Sequence, residues 1–163
     1  MRTDVDETDE TTNDIGLVYA AGTDEDDEPI LWIGRSPTDF RGAEPTHFGT
    51  VPAPAQLFLR NVHAGFTSED LQSHGLMAPA GMKTLAESVG PPLRESGWEV
   101  GYGEDKIHSS RLLWLTRDYG ELLYCTSPDL PPGTLTLVYD GDVDPPKDFW
   151  QSLDALLGER WDE

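Results

Sequence analysis

Three β-prone runs followed by one amphipathic helix fill the last third of this chain and limit the folds open to it. Arg111 to Thr116 and Leu122 to Thr126 flank Arg117-Asp118-Tyr119-Gly120-Glu121, a connection of hairpin length with a glycine available for positive φ. Thr134 to Tyr139 reads as a third strand, closed by Asp140-Gly141. Pro145-Pro146 then leads into a helix over Asp148 to Leu157, in which Phe149, Leu153, Leu156 and Leu157 share a face and Gly158 supplies the stop.

The rest of the chain is more broken. Ile15 to Ala21 and Ile30 to Gly34 are short apolar runs around the acidic loop Gly22 to Pro29, a pattern that predicts two strands. Ser36 to Thr50, interrupted by Pro37, Gly42, Pro45 and Gly49, reads as irregular connection. A helix is expected from Pro54, with Leu57, Phe58 and Val62 as its apolar positions and Gly65 as its end. A second is expected over Pro79 to Val89, with Met82, Leu85, Ala86 and Val89 as one stripe and Gly90-Pro91-Pro92 as the stop; Leu76-Met77 should enter the same core. Segregated strand-rich and helix-rich segments predict an α+β fold, helices packed on one face of a largely antiparallel sheet. At 163 residues one core is the default. Residues 1–14 hold too little apolar surface to offset ordering entropy and are expected to be a disordered acidic tail, leaving 15–163 as a single domain.

Charge narrows the choice of partner. The net charge is −20, and residues 1–28 carry eleven acids against Arg2 alone, while residues 29–163 carry twenty acids and ten bases. The part expected to fold is therefore acidic in its own right. Nucleic acid is disfavoured, because phosphate neutralisation needs clustered Lys and Arg and the chain has only three Lys. A basic protein is the favoured partner. Cys125 is the only cysteine, so no internal disulfide forms, and a reducing, cytoplasmic setting is expected. The acidic N-terminus lacks the apolar stretch of a secretory signal, and no apolar run reaches membrane-spanning length.

Reactive patterns are sparse. His47, His63, His74 and His108 stand at no ligand-like spacing. Gly101-Tyr102-Gly103 lacks the third glycine and the strand-to-helix setting of a phosphate loop, and reads as a turn. Asp140-Gly141-Asp142-Val143-Asp144 opens like a calcium loop, but Pro145 stands where glycine is required and Gln151 where a bidentate Glu is required. No G-x-S-x-G elbow is present, and Cys125 falls inside an expected strand. These readings predict no metal, no cofactor and no enzyme activity. Among the five Trp, Trp114 lies between Leu113 and Leu115; if those two point inward it faces the opposite side of the sheet, which makes it the expected exposed aromatic.

The order of features resembles the SUKH superfamily, which groups bacterial immunity proteins with relatives of fungal cell-wall assembly regulators. Val51-Pro52 leads into Leu57-Phe58-Leu59-Arg60-Asn61-Val62-His63-Ala64-Gly65-Phe66, and His74-Gly75-Leu76-Met77 precedes a second helix. These segments look like that family's proline-led helix, ending in a small residue and Gly, and its following Gly-Leu step. Leu112 to Thr116, Glu121 to Thr126, Thr134 to Asp140 and Asp148 to Leu157 look like its successive strands and closing helix. The likeness spans roughly residues 48–158 and rests on order and spacing; the first forty-odd residues depart from the family pattern, where a helix usually precedes the first strand. It implies an α+β fold and an antidote-like role, with stoichiometric occlusion of a toxin and no cofactor. A carboxylate-rich protein can occupy the basic cleft of a toxin nuclease as a nucleic-acid mimic.

The expected partner-binding residues are accordingly Trp114, Asp118, Tyr119, Asp140, Asp142 and Asp144, at strand ends and turns that display side chains on a rigid scaffold. Two alternatives predict different surfaces. A small hydrolase would combine carboxylates with His63 or His108 and show a deep pocket holding a histidine bonded to a carboxylate. A housekeeping scaffold whose acidity is environmental would spread its charge evenly over all faces.

Overall fold

The chain is represented by a computed structural model that describes residues 16–23, 26–37, 46–68, 75–117 and 123–158. Residues 1–14, His74, Asp118, Tyr119 and Trp161 lie outside the described residues, as do the side chains of Leu156 and Leu157.

The two apolar runs beside the acidic loop pair as the antiparallel ribbon β1 (Leu17–Thr23) and β2 (Pro29–Gly34). A 3-10 turn at Phe48–Thr50 precedes α1 (Ala53–Asn61), whose first turn holds Pro54, where a missing N–H leaves no helical bond unmade. Then come β3 (Phe66–Ser68), β4 (Gly75–Leu76), a 3-10 turn at Pro79–Gly81, β5 (Lys83–Thr84) and the short helices α2 (Leu85–Ser88) and α3 (Leu93–Ser96). The hairpin β6 (Glu99–Tyr102) and β7 (Asp105–His108) leads to β8 (Leu113–Arg117), β9 (Leu123–Thr126) and β10 (Thr134–Tyr139). β11 (Asp142–Val143), β12 (Lys147–Asp148) and α4 (Phe149–Gly158) complete the order. The strands form one sheet in the order β1-β2-β3-β4-β8-β9-β10-β11-β6-β7, with β5 added to β8 and β12 to β10. Every pairing is antiparallel except β11 with β6. The fold is α+β.

Both faces of the central strands are covered. Leu113, Leu115 and Leu135 meet Ala55 and Leu59 of α1 and Phe149 of α4 in one cluster. Trp114, Cys125 and Val138, on the opposite face, meet Leu85 of α2 and Val100 and Ile107 of the β6–β7 hairpin in another. Alternating side chains on β8 thus feed two cores, as a strand buried on both sides requires. Leu76 joins the first core and Met77 packs against the second, so the expected single core is divided.

Two helices differ from expectation. α1 ends at Asn61, not at Gly65, and buries Ala55 and Leu59 four residues apart; Leu57, off that stripe, and Val62, beyond the helix end, are exposed. The helix expected over Pro79 to Val89 is three pieces. Thr84 and Glu87 form a reciprocal capping box, which starts a new helix at Leu85, while Lys83 and Thr84 pair with Trp114 and Leu113 of β8. The apolar spacing was sound in that Met82, Leu85 and Ala86 are buried, but Met82 enters the first core and Leu85 the second.

Candidate functional site

Asp140-Gly141 is the two-residue turn between β10 and β11, both residues at positive φ (48° and 86°), as a type I′ hairpin turn demands. Asp is tolerated there because its short polar side chain accepts the left-handed region. Val143 is buried, and Asp144 is pinned through its backbone: its N–H donates to the Leu137 carbonyl at 2.9 Å, and its carbonyl accepts from the Thr136 hydroxyl. The side chains of Asp140, Asp142 and Asp144 are left exposed on a fixed backbone.

Pairing of Asp142 with Gly101 lays the β6–β7 hairpin alongside, which adds the exposed Glu99, Glu104 and Asp105. None of these six carboxylates forms an ion pair or side-chain hydrogen bond among the described residues. Lys106 is the only Lys or Arg within the two hairpins. Asp140, Asp142 and Asp144 are among the residues that the alternating Asp pattern singles out. No local signal brings Glu99, Glu104 and Asp105 beside them, because β11 reaches β6 through a parallel bridge across a long stretch of sequence.

Trp114 is a correction. It does face away from Leu113 and Leu115, but that face is a core as well: Trp114 is 4 % exposed, and its Nε1–H donates to the Thr116 carbonyl at 2.7 Å. A register shift between Trp114 and Thr116 on β8 lets the indole reach that carbonyl. It is not a surface anchor. Trp150 of α4 is exposed instead, set edge-on to Phe58 of α1 with ring centroids 6.5 Å apart. Leu17, Val18 and Tyr19 are exposed on β1, at the end of the sheet order.

The histidines divide by role. His63 is buried, its Nε2 accepting from the Tyr19 hydroxyl at 2.8 Å while Nδ1–H donates to the Arg35 carbonyl at 3.2 Å. His108 accepts from the Ser110 N–H at Nδ1 and donates from Nε2 to the Ser96 carbonyl at 3.2 Å, tying the end of α3 to β7. Neither touches a carboxylate among the described residues. His47 does: its Nε2 lies 2.8 Å from Glu87 Oε2 in an open polar cleft. Cys125 is fully buried in β9, and burial pushes its thiol far above the ordinary range, so it is a core residue and no thiolate nucleophile.

Burial pushes the Glu87 carboxyl up, but hydrogen bonds from the Thr84 N–H and hydroxyl, together with His47, outweigh it and hold the group below its ordinary 4.5. A lowered carboxylate stabilises the fold above its unfolded pKa and loses that contribution as pH falls through the folded value. Thr84→Ala, which removes the cap of α2, is expected to cost about 1 kcal/mol at pH 7. Urea unfolding at pH 7 and at pH 3 checks this: the gap between wild type and Thr84→Ala should narrow in acid, and an equal gap at both would remove Glu87 from the cap.

Among the described residues no group of three His, Cys, Asp or Glu is placed to hold a metal ion, and no helix is long and apolar enough to cross a membrane. No protein-family model matches the chain, nor does any curated protein or solved structure.

Proposed function

We propose that this chain is a non-catalytic, cytoplasmic protein-binding module that docks a basic partner, in the manner of an immunity protein occluding the substrate cleft of a toxin nuclease. The observation that carries the reading is that two adjoining hairpins present exposed carboxylates, Asp140, Asp142 and Asp144 at the end of one and Glu99, Glu104 and Asp105 on the other, against Lys106 within them. Exposed carboxylates make the local potential negative, steer a cationic surface into contact and speed its association. Backbone bonds fix the strands beneath them, so little ordering entropy opposes docking. The SUKH-like order of elements supports the same role.

The test uses the tagged chain to capture a partner from its native lysate, followed by kinetics on the purified pair. Simultaneous Asp140→Lys, Asp142→Lys and Asp144→Lys should slow association at least tenfold and flatten its salt dependence, while Asp154→Lys on α4 should change neither. Equal rates for the triple variant and wild type would remove this edge from the interface. For the immunity role, expression of this chain should restore growth that the captured partner alone arrests. The contact between His47 and Glu87 favours a second reading, a small hydrolase with His47 in the place expected for His63 or His108; turnover of a bound ester distinguishes it from binding.

A further inference from the structure

Acids outnumber Lys and Arg 31 to 11 in this chain, so a base readily finds a carboxylate. Arg111 takes Asp129 bidentately, Nε–H and Nη2–H donating to the two carboxylate oxygens. Lys83 and Arg94 form no ion pair among the described residues, yet both line one cleft of about 470 Å³ together with His47 and Glu87. Among the described residues Lys106 and Lys147 are likewise unpaired, and the small cleft that Lys147 lines holds no second base. Glu87 is held through Oε2 by the Thr84 N–H, the Thr84 hydroxyl and His47, and forms no ion pair with Lys83 or Arg94 among the described residues. The volume falls within the range of about 300–1,000 Å³ usual for small-molecule sites. Pro79 and Met82 supply an apolar wall.

We propose that this cleft binds the phosphate group of a small phosphorylated ligand. Arg94 offers a planar fork that matches two phosphate oxygens, Lys83 adds a point charge, and His47, held through Nε2 by Glu87, forms the third side. The body of the ligand lies against Pro79 and Met82. Phosphate fits better than carboxylate because a dianion with three free oxygens engages the Arg94 fork and the Lys83 ammonium at once.

Calorimetric titration of the full chain with phenyl phosphate, inorganic phosphate and benzoate tests this. Phenyl phosphate should saturate one site, and more tightly than inorganic phosphate, which lacks an apolar body. Lys83→Gln and Arg94→Gln should each weaken it at least tenfold, while Lys106→Gln leaves it unchanged. Both cleft side chains are exposed, so the variants should melt like wild type. Absence of saturation, benzoate binding as tightly as phenyl phosphate, or an equal loss in Lys106→Gln would overturn the proposal. The triple reversal at Asp140, Asp142 and Asp144 leaves this cleft intact, so partner docking and phosphate binding fail or succeed separately.

Discussion

Trp114→Ala is expected to lower the free energy of unfolding by about 3–5 kcal/mol, the usual cost of emptying a buried Trp site. The indole is 4 % exposed and packs in the second core with Cys125, Val138, Leu112 and Leu85. Its Nε1–H bond to the Thr116 carbonyl is internal, so truncation both leaves a cavity and frees a buried acceptor. Domains of this size are stable by only about 5–15 kcal/mol, and the alanine variant stands near the limit of folding. Trp114→Phe keeps an aromatic ring and removes the N–H donor; it should cost about 1–3 kcal/mol and stay measurable. Urea unfolding of both variants reads the effect as a lowered midpoint at unchanged slope. A surface anchor would behave in the opposite way, with stability within about 0.5 kcal/mol of wild type and partner binding lost; that outcome would place the indole outside the core.

The case of Trp114 shows how far local sequence reaches. Alternation along Leu113-Trp114-Leu115 correctly separates the two faces of β8, because side-chain direction in a strand is set by the backbone. Whether the second face meets water depends on what crosses it, here the β6–β7 hairpin and Leu85, and that is decided by pairings distant in sequence. The same division holds elsewhere. β10 lies where Thr134 to Tyr139 predicts it, the Asp140-Gly141 turn follows from its own residues, and α4 lies within one residue of the Asp148–Leu157 helix that its apolar spacing predicts, although β12 separates it from Pro146. Strands of two residues such as β4, β5 and β11 carry no period that a pattern can register, so they exist only through their partners. Thr84-Leu85-Ala86-Glu87 did carry a local signal, an N-cap residue followed three positions later by Glu, that divides the expected Pro79–Val89 helix. The pairing of His47 with Glu87 had none, since the two stand forty residues apart in sequence.

The second large effect is expected at Gly75. β4 joins β1, β2 and β3 on one side to β8 on the other, with Thr67 opposite Gly75 on one flank and Arg117 on the other. Gly75 has φ of 116°, a backbone region that residues with a Cβ rarely adopt, and a Cβ built there would run into the Phe66 carbonyl oxygen, with Thr67 Cα only 3.0 Å away. The obstruction is backbone on both counts and cannot be relieved by a rotamer change. Backbone strain of about 1–3 kcal/mol and a comparable overpacking cost place Gly75→Ala at about 2–5 kcal/mol. The loss should be uneven, because the substitution strikes the seam between the β1–β3 ribbon and β8. Hydrogen exchange should therefore accelerate first in β1, β2 and β3, while β8, β9 and β10, held by two cores, retain protection until global unfolding. Leu76, next in sequence and buried in the first core, anchors the far end of the same two-residue strand, so slippage of β4 also withdraws a core side chain. Uniform acceleration across all strands would mean that the ribbon and the central sheet unfold as one unit, and a change below about 0.5 kcal/mol would show that β4 can shift to admit a methyl group.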